Sequence, residues 1–198
     1  MEDIVAEIKN CKKCELYKMK TNYVPGTGSP NAKIVFVGEA PGRDEDLQGE
    51  PFVGAAGKLL NEMLSKIGLS RRDVYICNVI KCRPPDNREP SEEEILACGD
   101  YLRRQLDVIK PNLIVCLGRV AAKFVFEDFG LEFTSISKVK GKVFEVERWD
   151  KKVKIYPIYH PAAILYRQQL REDYEKMFKN IALIAGLKRQ PDLFDFIN

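Results

Sequence analysis

Short apolar runs alternate with helical segments along this chain, and the alternation restricts its fold more than any other feature. The runs are short and mostly apolar, which is typical of buried parallel strands; they lie at 33–37, 74–80 and 113–117. Helical spacing or capping follows each run, at 59–67, 91–111 and 118–126. Such alternation predicts an α/β fold, with a parallel sheet between helices on both faces.

The remaining segments complete this outline. Residues 4–8 are amphipathic, residues 143–158 alternate like a hairpin that turns at Asp150–Lys152, and 172–185 has a helical pattern. We expect one monomeric domain at 1–187 and a polar tail at 188–198. No apolar run approaches the roughly 20 residues that cross a bilayer, and the acidic N-terminus lacks the features of a signal peptide. These features predict a cytoplasmic protein with no membrane contact. The net charge of +3 is too small by itself to indicate nucleic acid.

The segment Gly38–Gly54 is the strongest candidate for a ligand site. It follows the first predicted strand, and open α/β sheets bind ligands at the carboxyl ends of their strands. It is longer than a simple strand-to-helix connection requires. It carries Glu39, Glu45 and the aromatic Phe52 between glycines.

The six cysteines fall into two groups. Cys77 and Cys116 lie inside strand-like runs and are expected to be core residues. The other four lie in polar or loop-like surroundings and are metal candidates: Cys11, Cys14, Cys82 and Cys98. Four thiolates suit either tetrahedral zinc or an iron–sulfur cluster, and four unrelated thiols remain the alternative.

Three further polar residues are candidates for the site, two near predicted strand ends and Asn87 in the proline-rich loop that follows. His160 is the single histidine, and it ends a strand just before Pro161. We expect its imidazole at the same sheet edge as Glu39, where it can donate to a developing negative charge. Asn78 lies late in its strand and offers both a donor and an acceptor. Asn87 either bridges carboxylates or only makes a turn.

Taken together, these motifs resemble those of the iron–sulfur, family 4 uracil-DNA glycosylases. The matching stretches are GEAPGRDED, GEPFVG, Asn78 with KCRPPDNR, Cys98, LG at 117–118 and HPAA at 160–163. The resemblance extends from Cys11 to about Arg171. It implies a three-layer αβα sandwich with a central four-stranded parallel sheet. It also implies a [4Fe–4S] cluster on the four candidate cysteines.

The resemblance further implies an enzyme that flips uracil out of double- or single-stranded DNA and hydrolyses its N-glycosidic bond. Phe52 would stack on the base, with Ala40 beside it, and Asn78 would bond the base edge. His160 would donate to the leaving uracil, and Glu39 would handle the sugar cation or the water. Glu45 and Asn87 would organise this network.

Two surface segments carry further expectations. The loop after His160 resembles the family's minor-groove wedge, with these candidates: Ile164, Leu165, Tyr166 and Arg167. The tail fits a sliding-clamp-binding pattern through Gln190, Leu193, Phe196 and Ile197. The alternative function is a non-catalytic iron–sulfur module that binds DNA or senses damage, and zinc is the alternative metal.

Overall fold

The computed structural model describes residues 1–187, which form an α/β fold. The helices within this range are α1 Glu2–Lys9, α2 Arg43–Gln48, α3 Ala55–Lys66, α4 Glu92–Ile109, α5 Arg119–Asp128, α6 Ile136–Val139, α7 Pro161–Tyr166 and α8 Arg171–Ile184. The strands are β1 Thr27–Gly28, β2 Ile34–Gly38, β3 Tyr75–Asn78, β4 Leu113–Leu117, β5 Phe144–Arg148 and β6 Lys151–Ile158. The four predicted clamp-binding residues lie outside the described residues.

The described strands form one six-stranded sheet in the order β1-β3-β2-β4-β6-β5. The four inner strands, β3, β2, β4 and β6, run parallel, which confirms the predicted four-stranded parallel core. The two outer strands pair antiparallel and extend it. β5 is the first arm of the predicted hairpin. β1 was not predicted, because two residues, Thr27 and Gly28, carry no periodic signal.

Helices cover both faces of the sheet, because alternate residues of each strand point to opposite sides. In β2, Val35 and Val37 pack with apolar residues of α1, α4 and α5. Ile34 and Phe36 pack on the other face with residues of α3, α7 and α8. The three-layer αβα prediction is therefore confirmed. No described helix has both the length and the apolar composition that a membrane span requires.

Local signals account for most element boundaries. α4 begins with a reciprocal capping box, in which Ser91 and Glu94 each accept the other's backbone N–H, at 3.2 and 2.8 Å. The hairpin turns at Trp149 and Asp150, both with a φ of 56°, and β6 already begins at Lys151. The prediction placed this turn one residue too late, because Trp149 is a rare residue for a left-handed turn position.

Candidate active site

The predicted pocket residues converge at the carboxyl edge of the parallel strands. Parallel register places Gly38 of β2 directly beside Asn78 of β3, and His160 follows the end of β6. One cavity at this edge is lined by all seven predicted pocket residues: Glu39, Ala40, Glu45, Phe52, Asn78, Asn87 and His160.

Asn78 brings an unpaired polar atom to this cavity. Its side chain is 1% exposed, and its Oδ1 has no hydrogen-bond partner among the described residues. Buried polar atoms are nearly always paired, so an exception points to a missing ligand or water. Gly38 makes room for this arrangement. A Cβ there would collide with Asn78 Oδ1 and lie 2.6 Å from Cζ of Phe52.

The Phe52 ring forms a second wall, 5.6 Å from the His160 ring between centroids and tilted by 34°. Phe52 has a φ of 53°, a left-handed conformation that costs a non-glycine residue about 1–2 kcal/mol. Its carbonyl lies so close to Gly57 that any Cβ there would collide with it. The surrounding structure therefore holds the ring in place against a local strain.

Glu45 supplies part of that restraint. It lies in α2, a helix that was not predicted inside the long loop. Its Oε2 accepts from the backbone N–H of Gly42 at 3.1 Å. Its Oε1 accepts from Val53 and Gly54, both at 2.9 Å. The carboxylate thus ties the start of α2 to the residues just after Phe52.

His160 is the N-cap of α7, and its Nδ1 accepts from the Ala162 N–H at 3.2 Å. The proton of the neutral ring therefore lies on Nε2, which is left free to donate. Burial lowers the pKa of His160 to about 4, against an opposing effect of the Glu45 charge. The ring is consequently neutral at pH 7. Gly118, with a φ of 90°, lets the His160 side chain approach, because a Cβ there would lie 3.0 Å from that of His160.

Glu39 follows β2 directly, and its carboxyl is partly buried at the cavity wall. Burial raises its pKa, Glu89 raises it further, and Arg119 lowers it. Arg119 also pairs with Glu89. Asn87 has a φ of 54°, and its Oδ1 accepts from Arg83 Nε at 2.7 Å. Asn87 therefore makes a turn, one of the two predicted alternatives, and it also lines the cavity. The hydrogen-bond partner that the structure shows for its side chain is Arg83 and not a carboxylate.

The predicted wedge residues point in different directions. Ile164 is 0% exposed and packs in the core between α3 and α8, so the prediction that it could enter DNA is wrong. Leu165 and Tyr166 line the mouth of the cavity, and Tyr166 is 89% exposed. Arg167 is exposed at the end of α7. One turn of helix is enough to send Ile164 inward and the next residues outward.

The four candidate cysteines line a second cavity between α1, α4 and the loop after β3. All six cysteines are free thiols. Cys98 Sγ accepts from the Lys81 backbone N–H at 3.3 Å, and Cys11 Sγ accepts from that of Lys13 at 3.5 Å. Burial raises the pKa of Cys82 to about 12 and that of Cys98 to about 11. Across residues 1–187, no group of three or more His, Cys, Asp or Glu side chains is arranged to hold a metal ion. As predicted, Cys77 and Cys116 are buried core residues.

Lys81 connects this second cavity to the first and was missed from the sequence. Its side chain is 1% exposed. Its Nζ donates to the Asn78 carbonyl and to Gln105 Oε1, both at 2.7 Å. Gln105 in turn donates to the Pro25 carbonyl at 2.9 Å. A lysine in a loop is usually exposed to solvent, so nothing in the sequence indicated that Lys81 is buried in this network.

Comparison with known proteins identifies the family. A family model described as Uracil DNA glycosylase superfamily matches residues 25–182. The chain is 68% identical to the type-4 uracil-DNA glycosylase of Archaeoglobus fulgidus, over 100% of this chain and 98% of the relative. It is 52% identical to that of Sulfurisphaera tokodaii, covering 93% and 84%, and 44% identical to that of Thermotoga maritima, covering 89% and 92%. With a matching family model over most of its length and the predicted pocket assembled at one sheet edge, the chain belongs to the uracil-DNA glycosylase superfamily.

Proposed function

We propose that this protein excises uracil from DNA, hydrolysing the N-glycosidic bond to leave an abasic site that starts base excision repair. The unpaired Oδ1 of Asn78 carries the proposal, because the Asn78 side chain lines a cavity whose other walls include Phe52 and His160. A buried acceptor beside an aromatic face and a neutral donor suits a flat, polar-edged base. The family and the type-4 relatives support the same substrate.

Recognition would begin with extrusion of the base, since a glycosylase cannot reach its target inside the stack. The extruded uracil would lie against the Phe52 ring. Asn78 Oδ1 would accept from N3–H, and the amide N–H would donate to O4. Cytosine has an acceptor at N3 and a donor at N4, so the same amide orientation would reject it.

Bond cleavage would leave the electron pair of the C1′–N1 bond on the uracil, which departs as an anion. The Nε2–H of His160 would donate to the oxygen where this charge develops. Because the pKa of His160 is about 4, the ring needs no proton exchange to serve as this donor at pH 7. A neutral donor stabilises the anion without paying for the burial of a second charge.

The sugar would acquire oxocarbenium-like character as the bond breaks. The Glu39 carboxylate would stabilise that cation and take a proton from the water that attacks C1′, leaving the hydroxyl on the sugar. Glu45 would brace the loop that carries Glu39 and Phe52, and Asn87 would close the rim. Ala40 would contact the base beside them.

The exposed end of α7 would engage DNA. Tyr166 or Leu165 would fill the space that the flipped base leaves, as apolar wedges do in other minor-groove proteins. Arg167 would contact a phosphate, and such contacts make affinity fall with salt. Both double- and single-stranded DNA fit this arrangement.

The four thiols of the second cavity would hold a [4Fe–4S] cluster, with Cys11 and Cys14 from the N-terminal segment and Cys82 and Cys98 from the core. Backbone N–H donors to two of the sulfurs support this, since such bonds are usual around cluster thiolates. When bound, the group would tie the N-terminus to the loop after β3; four thiolate ligands leave no open position for catalysis.

Two experiments test these assignments. A labelled oligonucleotide with one uracil should give an abasic product that alkali cleaves. Glu39→Gln and His160→Gln should each cripple the reaction, whereas Glu50→Gln, a change at an exposed acid of the same loop, should not. DNA binding that changes with redox state, without base release, would instead favour the non-catalytic sensor.

Metal analysis tests the cysteine site. The purified protein should contain iron and sulfide and absorb visible light. Cys82→Ser should lose the iron, while Cys116→Ser, a change at a core thiol, should keep it. Zinc without sulfide would contradict the cluster.

A further inference from the structure

Arg71 makes an unusual set of contacts with the backbone at Phe52. Its Nη1 donates to the Phe52 carbonyl at 3.1 Å, and its Nη2 donates to the Pro51 carbonyl at 2.6 Å. Nη1 also donates to Asn61 Oδ1 at 3.3 Å, which orients the guanidinium from α3. A partly buried guanidinium thus uses its donors on two successive backbone carbonyls.

Those two carbonyls belong to the strained part of the loop. Phe52 has its left-handed φ of 53°, and this conformation directs its ring toward Gly38 and His160. A return to negative φ would rotate the Phe52 carbonyl away from Arg71 and move the ring. Hydrogen bonds from a charged donor are stronger than neutral ones, so they can hold such a conformation.

Arg71 itself has a fixed position. It lies in a turn where the Ser70 N–H and hydroxyl both donate to Asp73 Oδ2, each at 2.7 Å. The strand that carries Asn78 begins two residues after that turn, at Tyr75. Arg71 therefore ties the aromatic wall of the pocket to the same stretch of chain that provides the polar edge.

We propose that Arg71 is a positioning residue, which holds the Phe52 ring as the stacking surface for the flipped base. Arg71 donates hydrogen bonds to the carbonyls on one side of the strained residue. Glu45 accepts hydrogen bonds from the N–H groups of Val53 and Gly54 on the other side. The proposal rests on the stacking role proposed for Phe52. Arg71 touches neither base nor sugar and acts through the ring alone.

A double-mutant cycle in the full-length, metal-loaded protein tests the proposal. The probes are free uracil as a competitive inhibitor and a uracil-containing oligonucleotide as substrate. Arg71→Ala should weaken uracil inhibition by about tenfold, the scale of one released backbone strain. The loss of uracil inhibition in Arg71→Lys should be intermediate between those of the native protein and Arg71→Ala, because one ammonium does not replace a guanidinium that donates to two carbonyls. Arg72→Ala, a change at the exposed neighbouring arginine, is the matched control and should leave inhibition unchanged.

The cycle separates positioning from general stability. In a Phe52→Ala background, Arg71→Ala should cause no further loss of uracil affinity, since residues that act as a unit are not additive. Fully additive losses would overturn the proposal, as would a lowered melting temperature with unchanged inhibition. If Arg71→Ala does not fold, Arg71→Lys carries the same comparison. If Phe52→Ala leaves inhibition unchanged, the stacking role itself fails; if it weakens inhibition and Arg71→Ala does not, only the role of Arg71 fails.

Discussion

Replacing Asn78 by leucine should stabilise the free protein and at the same time abolish uracil binding. The Oδ1 of Asn78 is buried without a partner in the described structure. An unpaired buried acceptor costs about 1–3 kcal/mol. Leucine branches at the same carbon and carries no polar atom, and it suits a strand better than asparagine does. For a protein of this size, 1 kcal/mol corresponds to about 2–4 °C in melting temperature, so a rise of at least about 2 °C is expected.

The same change should remove the response to uracil. In the native protein, uracil at about 100 times its dissociation constant should add about 2.7 kcal/mol to the free energy of unfolding. The Asn78→Leu variant should show no such gain, and its excision rate should fall at least about a hundredfold, because a site built around hydrogen bonds loses heavily without them. Thermal unfolding with and without uracil, together with single-turnover excision, measures both effects.

Asn22→Leu provides the matched control. The Asn22 amide donates to the carbonyls of Asp46 and Leu47 at 2.8 and 3.1 Å, so the same substitution there should lower the melting temperature and keep the uracil response. A uracil response of native size in Asn78→Leu would refute the base-reading role. A loss of stability as large as that of the control would refute the conclusion that the acceptor is unsatisfied.

Four further predictions concern acid, DNA and the tail. The pKa of His160 is about 4 in the folded protein, below its ordinary value of 6.5, so the unfolded chain takes up the proton first. The free energy of unfolding should therefore decrease as the pH drops from about 6.5 to about 4. The decrease should be smaller in His160→Gln, and unfolding measured at several pH values across this range tests the difference. Burial raises the pKa of Glu39 above 4.5. The fall of kcat/KM on the acid side should therefore lie above that pH and be absent in Glu39→Gln. An unchanged pH profile in that variant would contradict the role of Glu39. Tyr166→Ala should slow excision from duplex DNA by about tenfold or more and leave single-stranded DNA unaffected; equal losses on both would argue against a wedge. Deletion of residues 188–198 should abolish binding to a sliding clamp, as measured by calorimetry, without changing uracil excision from a short oligonucleotide. Clamp binding that persists after the deletion would show that the tail is not the clamp-binding segment.

The sequence predicted elements whose signals are local and missed those that depend on distant contacts. The inner strands and α4 were predictable, because apolar runs and the Ser91 capping box identify them over a few residues. α2 has only six residues, five of them polar, and its anchor, Glu45, bonds to backbone groups eight and nine residues downstream. The burial of Ile164 could not be predicted either, since a six-residue helix is too short for its sequence pattern to show which face packs against the core.

The candidate site divides in the same way. Residue types at strand ends indicated Glu39, Asn78 and His160, because parallel strands bring their carboxyl ends to one edge. The residues that hold the pocket in shape gave no comparable signal, because Arg71 and Lys81 act through backbone carbonyls. A carbonyl is present at every position, so its partner leaves no pattern of residue types to recognise. The residues that line this cavity were therefore more predictable than the contacts that hold them in place.

Lys81 links the cysteine cavity to the pocket in which we propose that uracil binds. Its backbone N–H donates to Cys98 Sγ, and its Nζ donates to the Asn78 carbonyl. The ammonium is almost fully buried, and its hydrogen bonds go to neutral oxygens. Because a buried charge is costly unless it is compensated, thiolates in the adjoining cavity would favour the position that Lys81 occupies. Loss of the cysteine site would then loosen the end of β3, where Asn78 lines the cavity.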